Sequence, residues 1–181
     1  MAENINRRGF IQSGSTLAFA SLLPAKLLAS IKDIPVSPFG FVTTADEVAA
    51  GIDLTGTTVL ITGCNSGLGY ESMKTITAHG AHVLGAARTM EKAVNACDSV
   101  KGQTTPLVCE LADFDSVVAC ADSVQALDMP LDVLMCNAGI MALPKLEQVN
   151  GIEKQFVVNH LGHFILTTRL LSQVEAAAEG R

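Results

Sequence analysis

The chain has 181 residues, of which 49% are apolar and 17% charged, and it carries a formal net charge of −6. That length holds one ordinary domain with some residues to spare, and the apolar share is enough to bury a sizeable core. Three classes are excluded: a disordered chain needs low hydrophobicity, a multi-span membrane protein needs apolar runs of about 20 residues, and a general nucleic-acid binder needs a basic patch.

The charge is unevenly spread. Residues 1–40 hold four bases (Arg7, Arg8, Lys26, Lys32) against two acids (Glu3, Asp33), on a body that is strongly acidic. Arg7-Arg8 is followed by Gly9, Phe10 and Ile11, then by an uncharged Leu-, Ala- and Ser-rich stretch that Lys26 closes. A positive head before a short apolar segment is the plan of a signal peptide, and the arginine pair resembles the twin-arginine export signal of bacteria. Residues 1–40 are therefore expected to be signal and linker, 41–181 the folded domain, and the protein periplasmic or exported through the twin-arginine machinery. Two alternatives stand beside this: a cytoplasmic protein with a disordered extension, and a membrane anchor. The anchor is marginal, because Gly14 and Pro24 interrupt the apolar stretch.

From residue 53 onward, short β-rich runs alternate with longer helical patterns. Residues 57–62 form a nearly continuous, β-branched apolar run, as a strand buried on both faces requires. A glycine-rich turn and a helix over about 68–79 follow, with Gly80 placed as a C-terminal cap. Residues 81–86 read as a second strand. Thr89 then caps a helix over 90–100, and 105–109 form a third strand with Pro106 near its start. Asp113 caps a helix to about 127, residues 131–136 form a fourth strand, and a long helical pattern fills 146–178. Strict alternation implies βαβ units. The predicted fold is α/β, a doubly wound Rossmann-type parallel sheet of order 3-2-1-4 whose fourth strand is left as an unpaired apolar edge.

The first strand runs into Thr62-Gly63-Cys64-Asn65-Ser66-Gly67-Leu68-Gly69. Gly63 permits the tight turn, Gly67 lets backbone approach a diphosphate, and Gly69 lets the helix pack close to the sheet. Free amides at the helix start, aided by the helix dipole, then face the phosphates. The second strand bears on which dinucleotide is bound. Arg88 stands 19 residues after Gly69 with no acid beside it. A guanidinium suits the 2′-phosphate of NADP, whereas NAD calls for a carboxylate on its ribose, so NADP is favoured over NAD.

The glycine loop, together with Cys136-Asn137-Ala138-Gly139 after the fourth strand, resembles the short-chain dehydrogenase/reductase family. The segment Val158-Asn159-His160-Leu161-Gly162-His163-Phe164 is similar to the branch of retinol dehydrogenases and the WW-domain oxidoreductase. The resemblance covers about 45–181. It implies that Gly63, Ser66, Leu68 and Gly69 line the pyrophosphate, and that Glu110 and Leu111 lie by the adenine, although the family usually has Asp where Glu110 stands. It implies further that Asn137, Ala138 and Gly139 border the cofactor and that Asn159 is the active-site asparagine, whose backbone holds a water in a proton relay. The implied activity is hydride transfer with an alcohol or carbonyl substrate, one that the branch makes lipophilic, in a homo-oligomeric enzyme.

The family also needs a Ser, and a Tyr with a Lys four residues beyond it. The sole tyrosine, Tyr70, does have Lys74 four residues on, but both fall on the first helix beside the phosphates, so the match is read as coincidence. The chain is accordingly expected to be a fragment cut before its catalytic residues and inactive by itself. A non-catalytic dinucleotide-sensing module and an exported interaction protein are the competing readings.

No metal site is predicted. His160 and His163, three apart on a helix and so able to face one way, lack carboxylate or thiol company and read as stacking or packing residues. Cysteines 64, 97, 109, 120 and 136 are odd in number and form no Cys-x-x-Cys pair. Each is expected to be a small buried apolar residue rather than part of a disulfide framework.

Overall fold

The computed structural model describes residues 37–178 and 180–181. The expected export signal lies outside the described residues except for 37–40. The chain divides between Val42 and Thr43 into two units. In the first, the Phe39 amide donates to Ser37 Oγ at 3.1 Å. Every element below belongs to the second.

Thr44 opens a short helix, α1 (Ala45–Ala49), by a reciprocal cap. Its hydroxyl accepts from the Glu47 amide, and the Glu47 carboxylate accepts from the Thr44 amide. Strand β1 (Thr58–Thr62) is buried along its whole length, as its apolar run demands. It is followed by α2 (Gly67–Ala78), β2 (His82–Ala87), α3 (Met90–Asp98), β3 (Gln103–Val108), α4 (Phe114–Gln125) and β4 (Val133–Met135). Thr89 caps α3 by accepting from the Lys92 amide, and Asp113 caps α4 by accepting from those of Asp115 and Ser116. The four strands are parallel in the order β3-β2-β1-β4, with Leu60 beside Leu84 and Val59 beside both Val83 and Val133.

The period-2 alternation of β1 sorts its side chains between two cores. Val59 and Ile61 point to the face covered by α2 and α3, where they meet Met73, Ala93 and Cys97. Leu60 points to the opposite face, with Val117 and Val124 of α4 and with Leu166 and Leu170 from the chain's last helix. Leu60 and Leu84 have no exposure at all, and removing each from water contributes about 1.5–3 kcal/mol.

The structure departs from expectation in four places. Strand β3 begins at Gln103 and holds Pro106 mid-strand, opposite Gly85; this is tolerated because β3 is an edge, where a missing N–H breaks no central ladder. Strand β4 is only three residues long. Its outer edge is not bare: the Arg181 amide donates to Asp132 O at 2.8 Å and Arg181 O accepts from the Leu134 amide at 2.9 Å, so unpaired strand groups take up the chain's last residue. Cys136, expected to be buried, is exposed just beyond β4, while the other four thiols are buried and free.

The fourth departure is the predicted helix over 146–178. The chain first forms a hairpin, β5 (Gln148–Val149) with β6 (Ile152–Glu153), turning on Asn150 (φ 52°) and Gly151 (φ 79°). An Asn-Gly pair with both φ positive is the turn that matches strand twist. Glu153 then caps α5 (Lys154–Phe156) with its carboxylate. A π-helical turn, Val157–Leu161, continues directly into α6 (Gly162–Ala176).

Candidate functional site

The sheet order reverses between β1 and β4. A cleft of about 830 Å³ opens there, at the carboxyl ends of the strands, where open α/β sheets place their ligands. Gly63, Ser66, Leu68, Arg88, Glu110, Leu111, Asn137, Ala138 and Gly139 all lie on its wall. Three other candidates named from the sequence, Gly67, Gly69 and Asn159, do not line it.

Gly69 sits beneath the loop rather than in it. A Cβ there would run into Gly63 O and Asn137 Nδ2, so the absence of a side chain lets α2 seat against the end of β1. Gly63 turns the chain with φ 73°, and a Cβ on it would meet Ala138 at 3.0 Å. Ser66 stands at the N-cap of α2, yet no side chain caps that helix end. Leu68, in the first turn, is 81% exposed on the cleft lip.

The opposite wall is stitched together by side chains. Buried Thr62 is its centre: the hydroxyl oxygen accepts from the amides of Asn137 and Ala138, both at 3.1 Å, and lies 2.9 Å from His163 Nε2. Asn137 Nδ2 returns a bond to Thr62 O at 3.0 Å. With two amides donating to its oxygen, the hydroxyl sends its proton to Nε2, leaving Nδ1–H to face Asn159 O at 3.3 Å. Burial lowers the pKa of His163, against a smaller opposing pull from the Asn159 carbonyl, and so favours this neutral ring. The Asn159 side chain clamps the segment after β4, its Oδ1 accepting from the Ile140 amide at 2.9 Å and its Nδ2 donating to Ile140 O at 2.8 Å.

Charge around the cleft divides into free and committed groups. The Arg88 guanidinium has no hydrogen-bond or ion-pair partner among the described residues, whereas Lys154, also on the wall, pairs with Glu147 at 2.7 Å. The acids on the wall are turned to backbone: Glu110 Oε1 accepts from the Ala112 amide, and Asp113 caps α4.

Thr62 and His163 were not singled out for a joint role, because no local pattern predicts that two residues 101 positions apart will meet. Nor do the two histidines face one way. His160 stacks on Phe156 with ring centroids 5.1 Å apart and on Phe164 at 6.4 Å, while His163 points into the core. The wider π turn sets residues three apart on different sides. Tyr70 bonds Ser99 Oγ at 2.9 Å and Lys74 pairs with Glu71, both away from the cleft. Among the described residues, no group of three or more His, Cys, Asp or Glu could hold a metal ion.

The family model for short chain dehydrogenases matches residues 57–181, which takes in the cleft and both of its walls. The chain belongs to this family. It is 37% identical over 169 residues to the WW domain-containing oxidoreductase of Homo sapiens, a match covering 88% of this chain and 41% of that protein. It is 32% identical over 165 residues to retinol dehydrogenase 13 of Homo sapiens, covering 88% and 50%. A crystal structure of a metagenomic short-chain oxidoreductase in complex with NADP superposes with a TM-score of 0.61 at 25% identity, over 70% of this chain and 60% of that one. The chain thus spans half or less of the length of these two relatives.

Proposed function

We propose that in the whole protein this cleft holds a nicotinamide dinucleotide, NADP(H) in preference to NAD(H), for hydride transfer to or from an alcohol or carbonyl compound. The observation that carries the reading is Arg88, an unpartnered guanidinium on the same wall as Ser66 and the open start of α2. An exposed fork of donors on the cleft wall, left without a protein acceptor, is suited to a phosphate, and the uncapped amides of α2 are suited to a second one.

The residues fit such a group in other respects. A Cβ on Gly67 would meet nothing within 4 Å, so backbone there is open to close approach. The cleft volume of about 830 Å³ lies in the range of cofactor sites. Asn65 borders both the cleft and a smaller neighbouring cavity that Lys92 also lines, so a second cation, four residues along the chain from Arg88, stands next to the cleft. Glu110 and Leu111 would border the adenine. Asn137 and Ala138, held by Thr62, would form with Gly139 a rigid backing on the other side. Asn159, by clamping Ile140, would keep that backing in place while its carbonyl remains near His163.

The bound nicotinamide ring supplies the hydride chemistry; the chain supplies position and charge. The test is a comparison of dissociation constants for NADP and NAD. NADP is expected to bind more tightly, and Arg88→Ala to weaken it by about tenfold or more while leaving NAD unchanged, as loss of a charge-assisted contact requires. Equal affinity for the two, with NADP binding indifferent to Arg88→Ala, would remove the preference. Absence of binding to either would remove the whole reading.

A further inference from the structure

Two thiols meet beneath the glycine loop, over a position that has no side chain to separate them. Cys64 follows Gly63 in the loop and Cys97 lies in the last turn of α3; they are 0% and 2% exposed. Gly85 of β2 is directly below, and a methyl group built on it would stand 2.8 Å from Cys97 Sγ and 3.1 Å from Cys64 Sγ. The two sulfurs thus flank one point above Gly85, and the Thr104 hydroxyl donates to the Cys97 carbonyl at 3.4 Å. The Cys64 thiol beside it brings Cys97 down to about 7, while the neighbouring Cys97 and burial push Cys64 up. The arrangement is one thiol of lowered pKa with a second thiol beside it and no side chain between them.

We propose that Cys64 and Cys97 form an oxidisable dithiol whose disulfide, made by a hydroperoxide, staples the glycine loop to α3 and weakens dinucleotide binding. In the first step the Cys97 sulfur attacks the peroxide oxygen, becoming a sulfenic acid and releasing water. Cys64 then attacks that sulfur, forming the S–S bond and expelling a second water. Two thiols give up two electrons and two protons to one hydrogen peroxide.

Both sulfurs are buried, so a peroxide reaches them only past their chain neighbours. A cavity of about 350 Å³ is lined by Asn65 and Ala96, the chain neighbours of Cys64 and Cys97, together with Lys92 and Asn95. It is roomy enough for a peroxide and carries the polar groups to hold one. Closing the bond brings the sulfurs to about 2.05 Å and draws Cys64 toward α3. Gly63, Asn65 and Ser66 flank Cys64 on the cleft wall and move with it. A displacement of about 1 Å is enough to spoil amide-to-phosphate geometry. This last consequence rests on the proposed cofactor.

The test uses the full chain, reduced and then titrated with hydrogen peroxide, denatured, alkylated and mapped by mass spectrometry. Exposed Cys136 serves as the reference thiol. The expected result is a Cys64–Cys97 peptide pair about 2 Da lighter than the two thiols, reversed by dithiothreitol. The NADP dissociation constant should rise about threefold or more with it, a response absent in Cys97→Ala. Cys64 and Cys97 remaining free at peroxide levels that have already oxidised Cys136 would overturn the proposal. So would a bond between Cys109 and Cys120, the other buried thiol pair, in its place. A mapped Cys64–Cys97 bond with unchanged NADP affinity would remove the switch. A reduced protein that binds no dinucleotide would remove the cofactor reading and the switch with it, while the map would still decide the bond.

Discussion

The two walls of the cleft are built on opposite plans. The loop wall, from the end of β1 through α2 to Arg88, ties the Gly63 and Cys64 amides to Ala86 O but leaves donors uncommitted beyond them: no side chain caps α2, and Arg88 has no partner among the described residues. The wall after β4 commits nearly everything, with Thr62, Asn137, Asn159 and His163 each spending donors and acceptors on one another or on backbone. The contrast separates two jobs. A surface that receives an anion must leave donors free, whereas a surface that holds a ring in register must not move.

The largest effect should come from the stitched wall. Thr62→Val keeps the shape but leaves the amides of Asn137 and Ala138 without their acceptor, and we expect a loss of about 2–4 kcal/mol in denaturant unfolding. A loss below about 0.5 kcal/mol, in the range of an ordinary surface change, would show that water replaces the hydroxyl and that the wall is not rigid. On the loop side, Gly69→Ala places a methyl against Gly63 O and Asn137 Nδ2. It should cost about 1–3 kcal/mol by overpacking and reduce dinucleotide affinity as well. A fall in affinity with stability intact would confine its effect to the loop.

Smallest is the effect of pH. Burial depresses the pKa of both His163 and His82. The unfolded chain therefore takes up protons first as the solution is acidified. The contribution is complete above about pH 6.5, the free imidazole value, and is lost as pH falls from there toward the folded values. Thermal melts between pH 8 and pH 5 should show Tm falling toward acid, with a shallower slope in His163→Gln. An unchanged slope would mean that His163 takes up its proton as freely as a solvated ring.

Legibility in the sequence follows the same division. The elements from β1 to α3 are placed to within a few residues, because continuous apolar strands and capping residues such as Thr89 are local signals. The nine residues that share the cleft wall belong to motifs that sit at strand ends, which a periodicity reading can locate. The hairpin was missed although Asn150-Gly151 announces it; a helical pattern read across 146–178 passed over the turn. The Thr62–His163 contact, the thiol pair over Gly85 and the bond from Arg181 to β4 all join distant positions. No pattern in one segment contains them.

The π turn at Val157–Leu161 sets the phase of everything after it. It holds one more residue than an α-helical turn would, inside a helix that runs from Lys154 to Ala176. Its extra residue acts as a spacer in a gear train. Removing it would restore an ordinary helix and rotate α6 by about 100° relative to the hairpin that feeds it. Leu166 and Leu170, now wholly buried, would swing toward solvent, and His163 would leave Thr62. A single-residue deletion here is thus a far harsher change than any substitution at the same place.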